Sequence, residues 1–268
     1  MRNNVLLFTG LMALANNSTI AQTSMNYCWV NGSIEGPTTP HVVPSPWTSC
    51  YASPDTQPGN WGITQAPSEG GSYASFIRIG NGGPYNEGMS GVANGITSPG
   101  TYVFTVDLAH SPIYTPSADP MDCYSSMAVY GGNSPCSQTE LLWESGAFTH
   151  TAWKTYSVMI SPTVAWNYIT FCPQFIYDCG NGYINVMVDN LTCVQPLDLI
   201  KPTCHACDGS VTLPPSAALP SPPYTYTWSH GLVTTSNTAS GLCAGTYTVD
   251  VSDSTGIIVS YTIKIDCK

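Results

Sequence analysis

The sequence predicts an all-β protein, a jelly-roll-like antiparallel β-sandwich followed by a small immunoglobulin-like β-sandwich. Three observations predict it. Short runs rich in Val, Ile, Thr and Tyr alternate polar and apolar residues, which is the pattern of half-buried strands. Gly, Pro, Asn and Ser separate these runs, and helical periodicity is nearly absent. The 11 cysteines supply crosslinks for a chain built of many short strands.

Residues 1–21 are predicted to be a secretory signal peptide and not part of the fold. One positive charge precedes an apolar run over 5–15, and Thr19 and Ala21 place small residues at positions −3 and −1 of a cleavage site before Gln22. The apolar run is shorter than the roughly 20 residues that a membrane-spanning helix needs. We therefore expect a secreted chain without membrane insertion.

Composition excludes several classes of partner. Charged residues make up 8% of the chain, and 6 Lys+Arg against 16 Asp+Glu give a net charge of −10. Nucleic acids and anionic membranes bind basic patches, so neither is an expected partner. The cysteine content favours an oxidising compartment outside the cytosol. A hydrophobic content of 43% is sufficient for a core.

The first sandwich is predicted over residues 22–194. Its clearest strand places Tyr156, Val158 and Ile160 on one face, because the side chains of a strand alternate with a period of two. Several such strands favour two antiparallel sheets packed face to face. The expected strands lie at 27–34, 72–79, 101–108, 124–130, 153–160, 166–172 and 184–188.

A second unit is predicted over residues 204–268, after a linker at 195–203. The linker has two prolines and little alternation. The second unit has about five expected strands, including one at 247–251, and four cysteines of its own. A unit this small buries little surface, so disulfides are expected to stabilise it.

Three sequence blocks occur in order in the second unit: CDGSV at 207–211, PPYTYTWS at 222–229 and SGLCAGTYTV at 240–249. This succession resembles the SprB-type repeat of surface adhesins of gliding bacteria. The resemblance implies an immunoglobulin-like display module on the outer surface of a gliding-type bacterium. The chain departs from the family pattern in having one copy, and a cysteine that often follows Gly256 is missing.

The first unit also carries a resemblance. VNGSIE at 30–35 and VDNL at 188–191 resemble the opening and closing strands of galactose-binding-like sandwiches, a superfamily that includes carbohydrate-binding modules. The resemblance implies a structural calcium ion where these strands meet, with one acidic residue from each strand. The matching acids in this chain are Glu35 and Asp189.

Residue spacing gives a second reason to consider calcium. If Cys28 and Cys193 are bonded across an antiparallel strand pair, Gly32 lies opposite Asp189, with Glu35 at the same end of the pair. Calcium takes roughly six to eight oxygen ligands, carboxylates among them. The alternative interpretation is two solvated surface acids.

The residue order leaves the pairing of the cysteines open, because even four cysteines permit several pairings. The 204–207 segment has CxxC spacing, but no second pair completes a zinc site, so we prefer structural disulfides. Cys50 is left over, either free or bonded to another chain. The preferred pairs are Cys28–Cys193, Cys123–Cys136, Cys172–Cys179, Cys204–Cys267 and Cys207–Cys243.

Catalytic motifs are not evident. The segment 88–92 is one residue short of the GxSxG nucleophile motif and has no strand-to-helix context. Glu140 and Glu144 would share one face of a strand, whereas a glycosidase needs two carboxylates across one cleft. Acids on a solvated edge are the simpler interpretation, and we predict that the chain is not an enzyme.

Loop aromatics are the better functional signal. Trp61, Trp47 and Tyr85 lie in or near loops rich in Pro and Gly, and flat aromatic rings stack on the apolar faces of sugars. These three residues are the predicted ligand-binding set. The alternative is that such rings fill the open ends of the sandwich.

The sequence thus predicts a secreted or cell-surface adhesin-type protein that binds a glycan or a cell-surface polymer without catalysis. The expected cofactor is at most a structural Ca²⁺. The alternative function is a self-associating structural subunit of an extracellular fibre or coat, which low charge, strand edges and an unpaired cysteine would suit. A hydrolase whose acids are not recognised is a third hypothesis.

Overall fold

The fold is given by a computed structural model, which describes residues 28–79, 86–93, 95–115, 123–175, 182–213, 222–229, 231, 233–256 and 258–268. The predicted signal peptide at 1–21 lies outside the described residues. Within them, all regular structure is β except for one 3-10 turn at Asn60–Gly62, so the all-β prediction is confirmed. No helix in this part of the chain has the length and hydropathy needed to cross a bilayer.

Eighteen strands occur in the described residues, most of them short. In chain order they are β1 Thr48–Cys50, β2 Asp55–Gln57, β3 Tyr73–Ile79, β4 Gly88–Val92, β5 Tyr102–His110, β6 Met127–Gly132, β7 Glu140–Glu144, β8 Lys154–Ile160, β9 Tyr168–Pro173, β10 Tyr183–Asp189, β11 Gln195–Pro196, β12 Asp198–Ile200, β13 Gly209–Thr212, β14 Thr225–Trp228, β15 Val233–Thr234, β16 Thr238–Leu242, β17 Gly245–Ser252 and β18 Ile258–Ile265.

Two antiparallel sheets form the first sandwich. Sheet I has the strand order β1-β4-β9-β6-β7. Sheet II has the order β11-β5-β10-β3-β2, with β8 also paired to β5. Alternate side chains of each sheet point between them, where Met89 and Phe171 of sheet I share one core with Phe104, Val186 and other residues of sheet II. Burial of this apolar surface is the main stabilising contribution.

The expected strand at 27–34 is wrong. Residues 30–33 form turns, because the Asn31 side chain accepts a 2.8 Å hydrogen bond from the Glu35 amide and both Asn31 and Ile34 have positive φ. The predicted pairing of terminal strands is therefore also wrong. Gly32 meets the closing segment through a single backbone bond, from the Leu191 amide to the Gly32 carbonyl at 2.9 Å.

The second unit is a smaller sandwich. Its sheets have the orders β12-β13-β16 and β15-β14-β17-β18. Tyr226 and Trp228 are buried and Tyr224 packs against the same cluster, as the alternation along this segment predicts. Val249 and Ile263 complete the centre of this core.

The predicted linker at 195–203 contains two strands and is not an extended spacer. β11 pairs with β5 of sheet II, and β12 pairs with β13 of the second unit. Leu197 lies between them and is buried in the second core. Val103 of β5 belongs to that same core and Met159 of β8 packs against it. The two units therefore share apolar contacts as well as the chain connection.

Four disulfides are formed in the described residues. The predicted bonds Cys28–Cys193, Cys204–Cys267 and Cys207–Cys243 are present. The fourth bond joins Cys50 to Cys136, so the predicted Cys123–Cys136 bond and the unpaired state of Cys50 are both wrong. Cys172 is a buried thiol, which contradicts the predicted Cys172–Cys179 bond. Cys179 itself lies outside the described residues.

Candidate functional site

The candidate site is the face of sheet I that points away from the core, here called the outer face. Met89, Val129 and Phe171 point into the core. Because side chains alternate along a strand, their neighbours point outward. The register of β4, β9 and β6 then places on the outer face Ser90, Val92, Ala128, Tyr130, Tyr168, Thr170 and Cys172.

An open cleft of about 590 Å³ lies at one end of this face. The rings of Trp166 and Tyr168 line it together with the amide side chains of Asn133 and Asn167 and the apolar side chain of Val92. Val92 is 55% exposed. None of the ten described residues that line it carries a charge. The cleft thus offers rings and amides, the groups that bind neutral polar molecules with apolar faces.

Trp166 is held in place by a carboxylate. Its indole nitrogen donates a 2.5 Å hydrogen bond to Oε2 of Glu140, and the Thr163 amide donates to Oε1 of Glu140 at 3.0 Å. The ring lies on the backbone of Gly131 at the core-facing side of β6, because Gly131 pairs with Ile169 and points the same way as Val129; a Cβ atom there would come within 2.2 Å of the Trp166 ring. Glu140, considered above as a hydrolase acid, is therefore engaged in positioning this ring.

The rings of Tyr51 and Tyr130 belong to the part of the site outside the cleft. The Tyr130 hydroxyl accepts a hydrogen bond from the Gln174 amide, and Tyr51 is hydrogen-bonded to the Gln138 side chain. Burial, together with the nearby Cys172 sulfur, raises the pKa of both tyrosines, so both remain neutral phenols at physiological pH. Neutral phenols and amides can each donate and accept hydrogen bonds to sugar hydroxyls.

The connection between β6 and β7, residues 133–139, crosses the outer face and is here called the strap. It leaves β6 but is bonded through Cys136 to Cys50 on β1, which lies three places away in the strand order. The Gln138 side-chain amide donates to Sγ of Cys172 at 3.2 Å. Cys172 and Thr170 are 0% exposed although they point away from the core. Burial raises the pKa of the Cys172 thiol to about 12.

The prediction that Trp47 binds ligand is wrong. Trp47 is 6% exposed and belongs to the core, where its ring contacts Trp29 and Phe171. Its indole nitrogen donates to the Asn31 carbonyl at 2.8 Å, which satisfies the only polar atom of the side chain. Gly91 makes room for the ring, since a Cβ there would lie 2.5 Å from it.

Trp61 lies away from the outer face, beside β2 of sheet II. Its indole nitrogen donates to Oδ1 of Asp55 at 3.0 Å, and its half-buried ring contacts His41 and Tyr114 with centroid distances of 5.5 and 6.3 Å. Ligand binding by Trp61 stays a prediction. Tyr85, the third residue of the predicted set, lies outside the described residues.

The two predicted calcium ligands contact one loop. Both oxygens of Glu35 accept from the Gly71 amide at 3.0 Å, and Oδ2 of Asp189 accepts from the Ser68 and Glu69 amides at 2.8 and 3.1 Å. Amide hydrogens are suited to a carboxylate and not to a cation. No group of three or more His, Cys, Asp or Glu side chains in the described ranges is placed to hold a metal. Calcium at Glu35 and Asp189 stays a prediction, which thermal melting with and without a chelator would test.

The outer-face residues were not singled out from the sequence, although part of the signal was present. In β9 the alternation of Ile169 and Phe171 with Tyr168 and Thr170 separates a core face from an outward face that carries an aromatic ring. Trp166 was included in the strand predicted at 166–172, but the observed strand β9 begins only at Tyr168. Its place in the cleft follows from contacts with Glu140 and Gly131, which are distant in sequence.

Comparisons with known proteins give distant structural likeness only. No family model matches the sequence, and no curated protein matches it. A cyclase from Fischerella sp. TAU is 15% identical with a TM-score of 0.43, covering 64% of this chain and 98% of that one.

Two other solved structures are similar to a comparable degree. The CBM22-1 xylan-binding domain from Paenibacillus barcinonensis is 9% identical with a TM-score of 0.41, covering 64% of this chain and 95% of that one. The K3 adhesin domain of Lys-gingipain from Porphyromonas gingivalis is 16% identical with a TM-score of 0.38, covering 64% and 98%. At these scores the likeness assigns neither a family nor a ligand to this chain. The SprB-type resemblance has no matching family model and stays a prediction.

Proposed function

We propose that this protein is an extracellular, adhesin-type glycan-binding protein that makes and breaks no covalent bond in its ligand. The observation that carries the proposal is the uncharged cleft at the end of the outer face, where two aromatic rings stand beside amide side chains. The four disulfides among the described residues support an extracellular location.

The chemistry of the cleft favours a neutral sugar chain. A sugar ring presents an apolar C–H face that stacks on an indole or phenol ring, and its hydroxyls pair with amides. Trp166 and Tyr168 supply the rings, and Asn133 and Asn167 supply the amides. An acidic glycan would require cationic partners, which the lining residues do not include. The cleft is open, so it suits a chain passing across it.

Rigidity supports a binding role as well. The indole of Trp166 is fixed by Glu140, and the rings of Tyr51 and Tyr130 are fixed by hydrogen bonds to Gln138 and Gln174. Rings that are already ordered lose little conformational entropy on binding. A solvated surface that binds no ligand does not need aromatic rings fixed in this way.

A glycan array followed by calorimetry tests this proposal. Wild type is expected to bind at least one neutral polysaccharide, and Trp166→Ala is expected to weaken binding by about tenfold to a hundredfold, because a stacked ring contributes roughly 1–3 kcal/mol at a hot spot. Trp61→Ala is the matched control, since it removes an equally large half-buried indole away from the outer face.

The outcomes are distinct. Loss of binding in Trp166→Ala with unchanged binding in Trp61→Ala supports the cleft as the binding site. The reverse result would assign binding to Trp61 and remove the site proposed here. If wild type binds no glycan at all, the proposed function is rejected. Thermal melting of both variants establishes that each is folded.

The display role implied by the SprB-type blocks at 207–211, 222–229 and 240–249 is part of the same proposal. In it, the second unit presents the first at the surface of a gliding-type bacterium. Self-association into a fibre or coat remains the alternative. Sedimentation of the secreted chain separates the two, because a monomer at micromolar concentration is incompatible with a fibre subunit.

A further inference from the structure

The strap is held to the outer face by one covalent bond and few other contacts. Its seven residues, Asn-Ser-Pro-Cys-Ser-Gln-Thr at 133–139, include no large apolar side chain, and 133–135, 138 and 139 are exposed. Apart from the Cys50–Cys136 bond, the strap is held by the Gln138 contacts to Cys172 and Tyr51, by the Thr139 amide, which donates to the Gly131 carbonyl at 3.1 Å, and by a 3.4 Å side-chain bond from Asn167 to Asn133. A segment with so little apolar burial opens readily once its crosslink is lost.

The strap contacts the outer face at Cys172, and three outward side chains of this face are buried. Ser90 is 1% exposed, and Thr170 and Cys172 are 0% exposed, although all three point outward from sheet I. The strap also begins at Asn133, which lines the cleft. Movement of the strap would therefore change the cleft and uncover the surface next to it.

The disulfide and the buried thiol lie in one row across the sheet. Cys50 of β1 is opposite Gly88 of β4, and Gly88 is adjacent to Cys172, whose Cβ would lie 3.0 Å from a Cβ built at Gly88. A glycine between them leaves no side chain to separate the two cysteines on the outer face. The outer face thus holds a bonded pair and a third, reduced cysteine beneath the same seven-residue strap.

We propose that the strap is a thiol-controlled cover, which opens the outer face when an external dithiol cleaves the Cys50–Cys136 disulfide. The consequence for ligand binding rests on the proposed function. Opening would lengthen the cleft from Tyr168 toward Cys172 and expose the hydroxyls of Ser90 and Thr170.

The reductant is a dithiol, which is itself oxidised as it reduces the Cys50–Cys136 disulfide. One of its thiolates attacks Sγ of Cys136, the partly exposed partner, forming a mixed disulfide and releasing the buried Cys50 as a thiolate, which takes a proton from water. The second thiol of the reagent then displaces the remaining cysteine, so that the dithiol leaves as a disulfide and both cysteines are thiols. Cys172 does not start this exchange itself, because its raised pKa keeps it protonated.

The experiment measures access to Cys172 by maleimide labelling and peptide mapping of the folded full chain. The variant without the strap disulfide carries Cys50→Ser and Cys136→Ser. The matched control carries Cys207→Ser and Cys243→Ser, which remove a disulfide of the second unit. We expect maleimide to label Cys172 at least about tenfold faster in the variant without the strap disulfide than in wild type or in the control. Brief treatment of wild type with dithiothreitol is expected to give the same increase.

Hydrogen exchange by mass spectrometry separates opening of the strap from unfolding. We expect lost protection in 133–139 with β3 and β5 still protected. Unchanged labelling of Cys172, or lost protection throughout both sheets, would overturn the proposal. Glycan affinity is measured in parallel: if the strap opens and affinity is unchanged, the strap does not control the site. If Cys172 becomes accessible while neither form binds any glycan, the cover is supported and the proposed function fails.

Discussion

The indole N–H of Trp166 and the carboxylate of Glu140 are joined by a 2.5 Å hydrogen bond, and this bond fixes the ring that lines the cleft. A hydrogen bond to a charged group contributes about 1.5–3 kcal/mol. We predict that Glu140→Ala weakens glycan binding about tenfold, since the ring loses its orientation. Glu140→Gln keeps one acceptor oxygen and is expected to have a smaller effect. Calorimetric titration measures both, and wild-type affinity in Glu140→Ala would contradict the prediction.

The buried carboxyl of Glu87 should make the stability of the fold depend on pH. It is 2% exposed, and burial raises the pKa of its carboxyl from 4.5 to about 8, although the Ile77 amide donates to it at 2.7 Å. The folded state therefore binds a proton that the unfolded state has released between about pH 4.5 and about pH 8. Stability contributed by the neutral carboxyl is complete below pH 4.5 and is lost as the pH rises through about 8.

The test is urea unfolding of wild type and Glu87→Gln at pH 5 and at pH 8. Burial also raises the pKa of Asp189 to about 7, which adds a loss of stability in the same direction to both proteins. We expect the loss between the two pH values to be smaller in Glu87→Gln, because glutamine does not ionise. Equal losses in the two proteins would show that Glu87 is not the group responsible.

One methyl group added at Gly91 should destabilise the core of the first sandwich. A Cβ at this position would lie 2.5 Å from the Trp47 ring, which is buried between the sheets. We predict that Gly91→Ala destabilises the fold by about 1–3 kcal/mol, the usual cost of overpacking a core. Gly245→Ala is the control, since its Cβ would have its nearest contact at 3.9 Å. Thermal or urea unfolding measures both, and equal stability of the two variants would contradict the prediction.

The position of Val103 leads us to expect that the two units unfold together. It is carried by β5 of sheet II but is buried in the core of the second unit. We expect one cooperative transition by differential scanning calorimetry, and we expect Val103→Ala to lower its free energy of unfolding by about 1–3 kcal/mol. Two separate transitions in wild type, with only one of them shifted by the variant, would show that the units are independent.

The strands that could be predicted from sequence are those with clear alternation. β8 and β17 match the predicted patterns at 153–160 and 247–251, because a half-buried strand must alternate wherever one face meets a core. The segment 27–34 failed because the side chain of Asn31 offers its own hydrogen bonds to the backbone, which turn the chain. Local competition of that kind is not visible in the hydrophobic pattern.

The candidate site was harder to predict because it depends on contacts between distant residues. Trp47 follows a Pro-Ser-Pro segment that predicts an accessible loop, yet its ring is buried in the space at Gly91, whereas Trp166 belongs to a predicted strand and lines a cleft beside Glu140. Likewise, the partner of Cys136 depends on the strap crossing sheet I to reach Cys50. Spacing along the chain favoured nearer partners, since it carries no information about that crossing.

The Cys204–Cys267 disulfide gives the second unit a mechanical property. It joins the start of the unit to the residue next to Lys268, and the Lys268 amide also donates to the Pro202 carbonyl at 2.9 Å. Tension applied through Lys268 therefore passes across the sulfur bridge to Cys204 and on toward β12, while the strands between the two cysteines carry none of the load. Pulled in this direction, the second unit behaves as an inextensible link, and the strain falls instead on the pairing of β12 and β11 with their neighbouring strands.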